Sequence, residues 1–185
     1  MQRIAGCLWS KQAKGVAMDA TADDEFSNFM HGRWSQLVRL GYGLTGDLQL
    51  AEDLAQTAFA KAYASWGRVR RADNPDAYLR RIVVNANRNR FRKVRVGEVL
   101  TETVPDLISA ADGADQRHTR DALVAALMEL PYGQRAAVVL RYWLDLSETE
   151  TAFILGCSVG NVKSQASRAL AKLRTSPVLL EGGSA

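Results

Sequence analysis

The sequence predicts an all-α protein of two small helical domains joined by a flexible acidic linker. Three observations predict it. Apolar residues recur three or four positions apart through most of the chain, the period of helices with one buried side. Nowhere do apolar and polar residues alternate with the two-residue period of a half-buried strand. Between residues 96 and 118 the helical period lapses, and one basic residue stands against five acidic ones, with Pro105 and Gly113 among them. The 185 residues suffice for one medium domain or two small ones, and a 47% apolar fraction can fill their cores.

Residues 1–24 mix small, polar and charged side chains without a period and read as a flexible extension; Met18 is an equally good start to the chain. A helix is expected from Glu25 to Leu44, with Phe26, Phe29, Met30, Leu37, Leu40 and Leu44 on one broad face and Trp34 beside it. Thr45-Gly46-Asp47 breaks it. A second helix is expected from Leu48 to Trp66, turning Leu50, Leu54, Ala58 and Ala62 inward and Glu52, Asp53, Gln56 and Lys61 outward.

A basic loop follows, with Arg68, Arg70 and Arg71. Asn74-Pro75-Asp76 then gives an N-cap, a first-turn proline and an acid at the positive end of a helix running to about Arg95. Leu79, Ile82, Val83 and Ala86 form its apolar stripe, while Arg81, Asn85, Arg88, Asn89 and Arg92 share another face. Residues 68–95 hold ten basic side chains against two acids, a density that calls for a polyanion. Arginine neutralises phosphate and asparagine amides pair with base edges, so this face suits nucleic acid. Tyr78 and Phe91 could stack on bases, but both are expected to pack inward.

After the acidic linker, helices are expected over Thr119–Leu130, ended by Pro131, and over Gln134–Tyr142. Ser147 to Arg174 then reads as a helix-turn-helix. Ser147 with Glu150 is a capping box. Ala152, Phe153 and Leu155 are expected to be the buried side of the first helix, and Gly156 provides the left-handed turn position. The second helix carries Val159, Val162, Ala166, Ala169, Leu170 and Leu173 on one side. Its other side offers Asn161, Lys163, Ser164, Gln165, Ser167, Arg168 and Lys172, a polar and basic surface suited to a major groove. A plain helical hairpin with a solvated face gives the same local pattern. Thr175-Ser176-Pro177 is read as the stop, and 177–185 as a short tail.

Charge is concentrated away from this motif: residues 25–95 carry +7, residues 119–176 only +2. Cys7 and Cys157, far apart, do not make a disulfide framework, and a reducing cytoplasm is the simpler expectation. His31 and His118 stand alone, so neither a metal site nor a cofactor is expected. No apolar run approaches a membrane span, and the first residues do not form a signal peptide. Neither paired carboxylates nor an activated nucleophile supports an enzyme acting on nucleic acid; Glu52 with Asp53 is the nearest acid pair.

Four pieces taken together resemble the extracytoplasmic-function (group IV) sigma factors of the sigma-70 family, in particular the small SigE-like type of actinobacteria. They are AEDLAQTAFAKAYASW (51–66), NPDAYLRRIVVNANRNRFRK (74–93), LPYGQRAAVVLRYWLDLS (130–147) and the helix-turn-helix with VGNVKSQASRALAKLR. The resemblance implies that residues 25–95 are sigma region 2 and residues 119–176 sigma region 4. Glu52, Asp53, Leu54, Gln56 and Phe59 would dock on the β′ clamp helices of core RNA polymerase. Arg68, Arg70, Arg71 and the Arg81, Asn85, Arg88, Asn89 and Arg92 face would melt and hold single-stranded −10 DNA, with Asn85 at a flipped base. Asn161, Lys163, Ser164, Gln165, Ser167 and Arg168 would read the duplex −35 element. The rest of region 4 would seat on the β flap, and the linker would thread the polymerase cleft. An anti-sigma partner is compatible with the family, although no residue demonstrates one. Thr57, Thr151, Asn161 and Gln165 depart from the commonest family pattern, so the −35 sequence does not carry over. The alternative is a stand-alone helix-turn-helix regulator, which would have no use for the separate basic helix.

Overall fold

A computed structural model describes residues 20–96 and 114–181. Both described parts are helical, as expected, with no strand among the described residues. The extension before residue 20, the linker residues 97–113 and the last four residues lie outside them.

The first part contains α1 (Ala20–His31), α2 (Trp34–Thr45), α3 (Leu48–Ala64), the single turn α4 (Trp66–Val69) and α5 (Pro75–Val96). The expected helix over residues 25–44 is in fact two. It breaks at Gly32-Arg33, and the Arg33 Nε donates to Asp76 at the start of α5 while its guanidinium lies over the Phe29 ring at 4.1 Å. The bend lets both apolar runs face α3. Phe26, almost wholly buried, meets Tyr63 and Trp66 edge-on at 5.0 and 5.2 Å, and Trp34 stacks on Phe59 at 6.1 Å. Such ring pairs are each worth ~0.5–1.5 kcal/mol beyond their buried area. Asp47 caps α3, its side chain accepting from the Leu50 N–H, and Asn74 caps α5 by accepting from the Ala77 N–H at 2.9 Å.

The second part contains α6 (Ala114–Met128), α7 (Tyr132–Val138), a π-helical turn (Val139–Trp143), α8 (Glu148–Leu155), α9 (Val159–Arg174) and α10 (Pro177–Glu181). Two expectations are corrected. α6 begins five residues before its expected start at Thr119, and Pro177 opens a helix packed on α6 instead of a tail. Proline is well suited to that first helical position, where its missing N–H costs nothing.

The two parts share one continuous core. Val83, Val84 and Leu79 of α5 belong to the same buried cluster as Leu127, Val139, Leu140 and Ile154. α5 packs on α8, and α2 packs on α6, α7 and the π turn.

Candidate nucleic-acid interface

Two surfaces carry the site, one on α5 with its approach and one on α9. On the approach, Arg68, Arg70 and Arg71 are exposed. The expected loop is tightened into α4 because Trp66 and Val69 are buried, and their burial turns Arg68 outward. Arg70 Nη1 donates to Glu25 Oε2 at 3.1 Å, an exposed pair worth little in itself. Along the unbroken α5, Arg81, Arg88, Asn89 and Arg92 are exposed and Asn85 is half-buried. The arginines can therefore reach phosphates, while Asn85 sits closer to the body of the helix bundle, where an amide is better fixed.

α9 is held at its start by Ser158, whose hydroxyl accepts from the Asn161 N–H at 3.2 Å. Val162, Ala166, Ala169 and Leu173 are buried, so the helix presents a fixed outer side. Asn161, Lys163, Ser167 and Arg168 are exposed on it, and Ser164 and Gln165 are half-buried. Two of these are already engaged. Lys163 Nζ lies 3.4 Å from Glu148 Oε2, and Gln165 Nε2 donates to Asn161 Oδ1 at 3.4 Å while its side chain lies over Gly133.

The helix in front of it, α8, starts at the expected capping box: Ser147 Oγ accepts from the Glu150 N–H at 3.1 Å, and the Glu150 carboxylate accepts from the Ser147 N–H at 3.0 Å. The Ser147 hydroxyl also donates to the Glu150 carboxylate at 2.7 Å, and this bond, with the smaller help of the Ser147 N–H, holds the carboxyl below its ordinary range. Gly156 ends α8 at φ +66°, the left-handed turn that the sequence expects. The buried side of α8 differs, however. Thr151, Ala152 and Ile154 face the core, whereas Phe153 is 55% exposed and lies under the Arg81 guanidinium at 5.3 Å. Beside α9 runs an open groove of about 240 Å³ bordered by Arg141, Tyr142, Lys163, Ser167, Leu170 and Arg174.

On α3, Asp53 and Gln56 are exposed and Glu52 half-buried, but Leu54 and Phe59 are 8% and 1% exposed. The last two are core residues that shape α3 and are not available as contacts. Tyr78 and Phe91 do not pack inward; both keep more than a third of their surface, and Phe91 meets Tyr132 of α7 at 5.9 Å. Among the described residues no cluster of three or more His, Cys, Asp or Glu could hold a metal, and no helix is long and apolar enough to cross a membrane. Cys157 is half-buried, and its burial pushes the thiol up. Sequence reasoning missed Asn87 and Arg135, each only 2% exposed. A polar residue one step off the apolar stripe of α5, and a lone arginine inside an apolar run of α7, were the available signals.

Comparison with known proteins places both helical parts in one family. Residues 33–96 match the family model "Sigma-70 region 2" and residues 120–173 match "Sigma-70, region 4". The RNA polymerase sigma-E factor of Streptomyces antibioticus is 41% identical over 150 residues, covering 81% of this chain and 83% of the relative. The ECF RNA polymerase sigma factor SigM of Mycobacterium tuberculosis is 36% identical over 161 residues, covering 87% and 80%. Among solved structures, the sigma factor RpoE of Bartonella quintana, crystallised with the anti-sigma factor NepR, matches with a TM-score of 0.68 at 28% identity, over 85% of this chain and 98% of that one. The chain belongs to the sigma-70 family of transcription initiation factors. Within that family, its relatives place it with the extracytoplasmic-function sigma factors.

Proposed function

We propose that the chain, acting in the cytoplasm without a cofactor, binds core RNA polymerase, places α9 in the major groove of a −35 element, and uses α5 to melt and hold a −10 element. The observation that carries this reading is the pairing of an outward Arg/Asn row on α5 with a separate, rigidly capped helix-turn-helix. A stand-alone regulator needs only the second.

The proposed division of labour follows from the chemistry of each surface. Arg68, Arg70, Arg71, Arg81, Arg88 and Arg92 neutralise the backbone of the opened strand, and Asn85 with Asn89 takes unstacked bases. Unstacking costs a few kcal/mol per base, which these contacts offset. Asn161, Lys163, Ser164, Gln165, Ser167 and Arg168 face the duplex, where a good bidentate base contact discriminates by ~1–3 kcal/mol. Neither surface holds DNA tightly alone; tethering both to polymerase supplies the effective concentration. Exposed Asp53 and Gln56, with Glu52, are the side chains through which α3 meets the β′ clamp helices, and the second domain seats on the β flap. Residues 97–113 connect the two through the polymerase cleft. An anti-sigma factor is a further proposed partner, as in the Bartonella complex.

Run-off transcription with core polymerase from Streptomyces coelicolor, the source of another relative, tests the reading. A promoter-dependent transcript is expected, and failure both to give one and to co-purify with core would overturn it. Asn85→Ala should abolish permanganate reactivity at the −10 bases while leaving core binding intact.

A further inference from the structure

Most outward side chains of α9 bring a hydrogen-bonding character that their orientation does not alter. The Lys163 ammonium and the Arg168 guanidinium only donate, and the Ser164 and Ser167 hydroxyls both donate and accept. An amide is different. Its oxygen accepts and its nitrogen donates, so what it offers a base depends on which way it is turned. Asn161 is an exposed amide in this row, and its orientation is set from within the protein.

Two contacts set it, and a third secures them. The Ser158 hydroxyl accepts from the Asn161 N–H at 3.2 Å, which fixes the backbone that carries the side chain. One turn further on, Gln165 Nε2 donates to Asn161 Oδ1 at 3.4 Å, a pairing that amides four residues apart on a helix favour. Gln165 itself is half-buried. Its amide lies against Gly133 of α7, where a Cβ would stand 3.7 Å from the amide carbon. A side chain held against α7 is withdrawn from the duplex but well placed to hold its neighbour. Lys163 is occupied elsewhere, its Nζ lying 3.4 Å from Glu148 Oε2.

With Oδ1 turned towards Gln165, Asn161 Nδ2 is left to the base. Asn161 is the third residue of α9, and the first residues of a recognition helix are those that meet base edges. In the major groove guanine shows the acceptors N7 and O6, and thymine shows O4. Adenine places an N6 amino group beside its N7, and cytosine shows an N4 amino group. The bidentate fit of asparagine to adenine needs both amide atoms turned outward, which the Gln165 contact opposes.

Resting on the −35 role proposed above, we infer that Gln165 is a positioning residue: it turns the amino group of Asn161 outward, and Asn161 therefore selects a keto base, guanine or thymine, on the strand it meets. Gln165 then shapes promoter choice without touching DNA.

The test selects sites from promoter duplexes randomised across the −35 region, using the full chain bound to Streptomyces coelicolor core polymerase. Asn161→Ala identifies the base pair, because it should flatten the preference at one position. There the native chain should favour guanine or thymine over adenine or cytosine by about three- to tenfold. Asn161→Asp can only accept and should reverse that preference. Gln165→Ala should flatten it at the same position. Gln165→Glu should reverse it, since a carboxylate only accepts and draws the Asn161 amino group inward. Helix content by circular dichroism should be unchanged in each variant. A merely structural Gln165 would weaken all sites alike and leave the preference intact. A native preference for adenine or cytosine, or a Gln165→Glu chain that keeps the native preference while Asn161→Asp reverses it, would overturn the inference. Initiation by the holoenzyme with no base preference that answers to Gln165 would sink the inference and keep the polymerase reading. A free chain that selects duplexes with the Gln165-dependent reversal, yet does not bind core, would keep the inference and sink that reading.

Discussion

Thr151→Val should stabilise the protein. Thr151 lies in α8 with no exposed surface, and its Oγ1 has no hydrogen-bond partner. Valine keeps the branched shape and exchanges the hydroxyl for a methyl, so the cavity is unchanged. An unpaired hydroxyl in an apolar site costs ~1–3 kcal/mol. The two residues have similar helix propensities, so little is lost from the helix itself. The expected gain is ~1–2 kcal/mol, a rise of ~2–6 °C in Tm for a chain of this size. Guanidinium unfolding should show a higher midpoint with an unchanged slope, so that the gain is one of stability and not of a shifted denatured state. Thr151→Ser is the counterpart: it keeps the hydroxyl, removes the methyl and should be destabilising by ~1 kcal/mol. If valine proves neutral or worse while serine is tolerated, the hydroxyl is hydrogen-bonded in solution and the reasoning is wrong.

Gly41→Ala should destabilise by ~1–3 kcal/mol in the same assay, because the new Cβ would lie 2.7 Å from the Ala51 Cα, a backbone atom that cannot swing aside; an unchanged midpoint would mean that α2 and α3 are further apart than described. Burial pushes the Tyr132 phenol from its ordinary 10 up to about 12, against smaller lowering effects of Arg88 and Arg135. The folded form thus holds its proton longer than the unfolded chain, so this contribution is complete below pH 10 and is lost as pH rises from 10 towards 12. The unfolding free energy across that window should fall by on the order of 2 kcal/mol more in the native chain than in Tyr132→Phe.

What the sequence disclosed was mostly local. The Ser147–Glu150 capping box, the Gly156 turn and the Asn74 cap each depend on residues within a few positions, and each stands where expected. The Arg/Asn face of α5 was legible because helical period alone decides which side chains neighbour each other. The break at Gly32 was hidden because apolar residues continue in period across it; only the pull of Asp76 on Arg33 fixes the corner. The early start of α6 was hidden because Asp115, Gln116 and His118 form no apolar stripe. Leu54 and Phe59 illustrate a different failure, one of the family resemblance and not of the helical period, which turns Leu54 inward. Both fall in a stretch associated with docking, but their apolar character places them in the core, and only neighbouring Glu52, Asp53 and Gln56 can present charge or amide to a partner.

The contact of α5 with the second domain was illegible for a different reason. α5 has three sides, not two: a core side, an arginine-rich side, and a third where the Val84 carbonyl and the Phe91 ring meet Tyr132 of α7. Helical period separates the first two because one is apolar and one charged. The third joins a backbone carbonyl and an aromatic ring among neighbouring arginines, and no composition marks it. Its meaning depends on where the second domain lies, which local pattern does not encode.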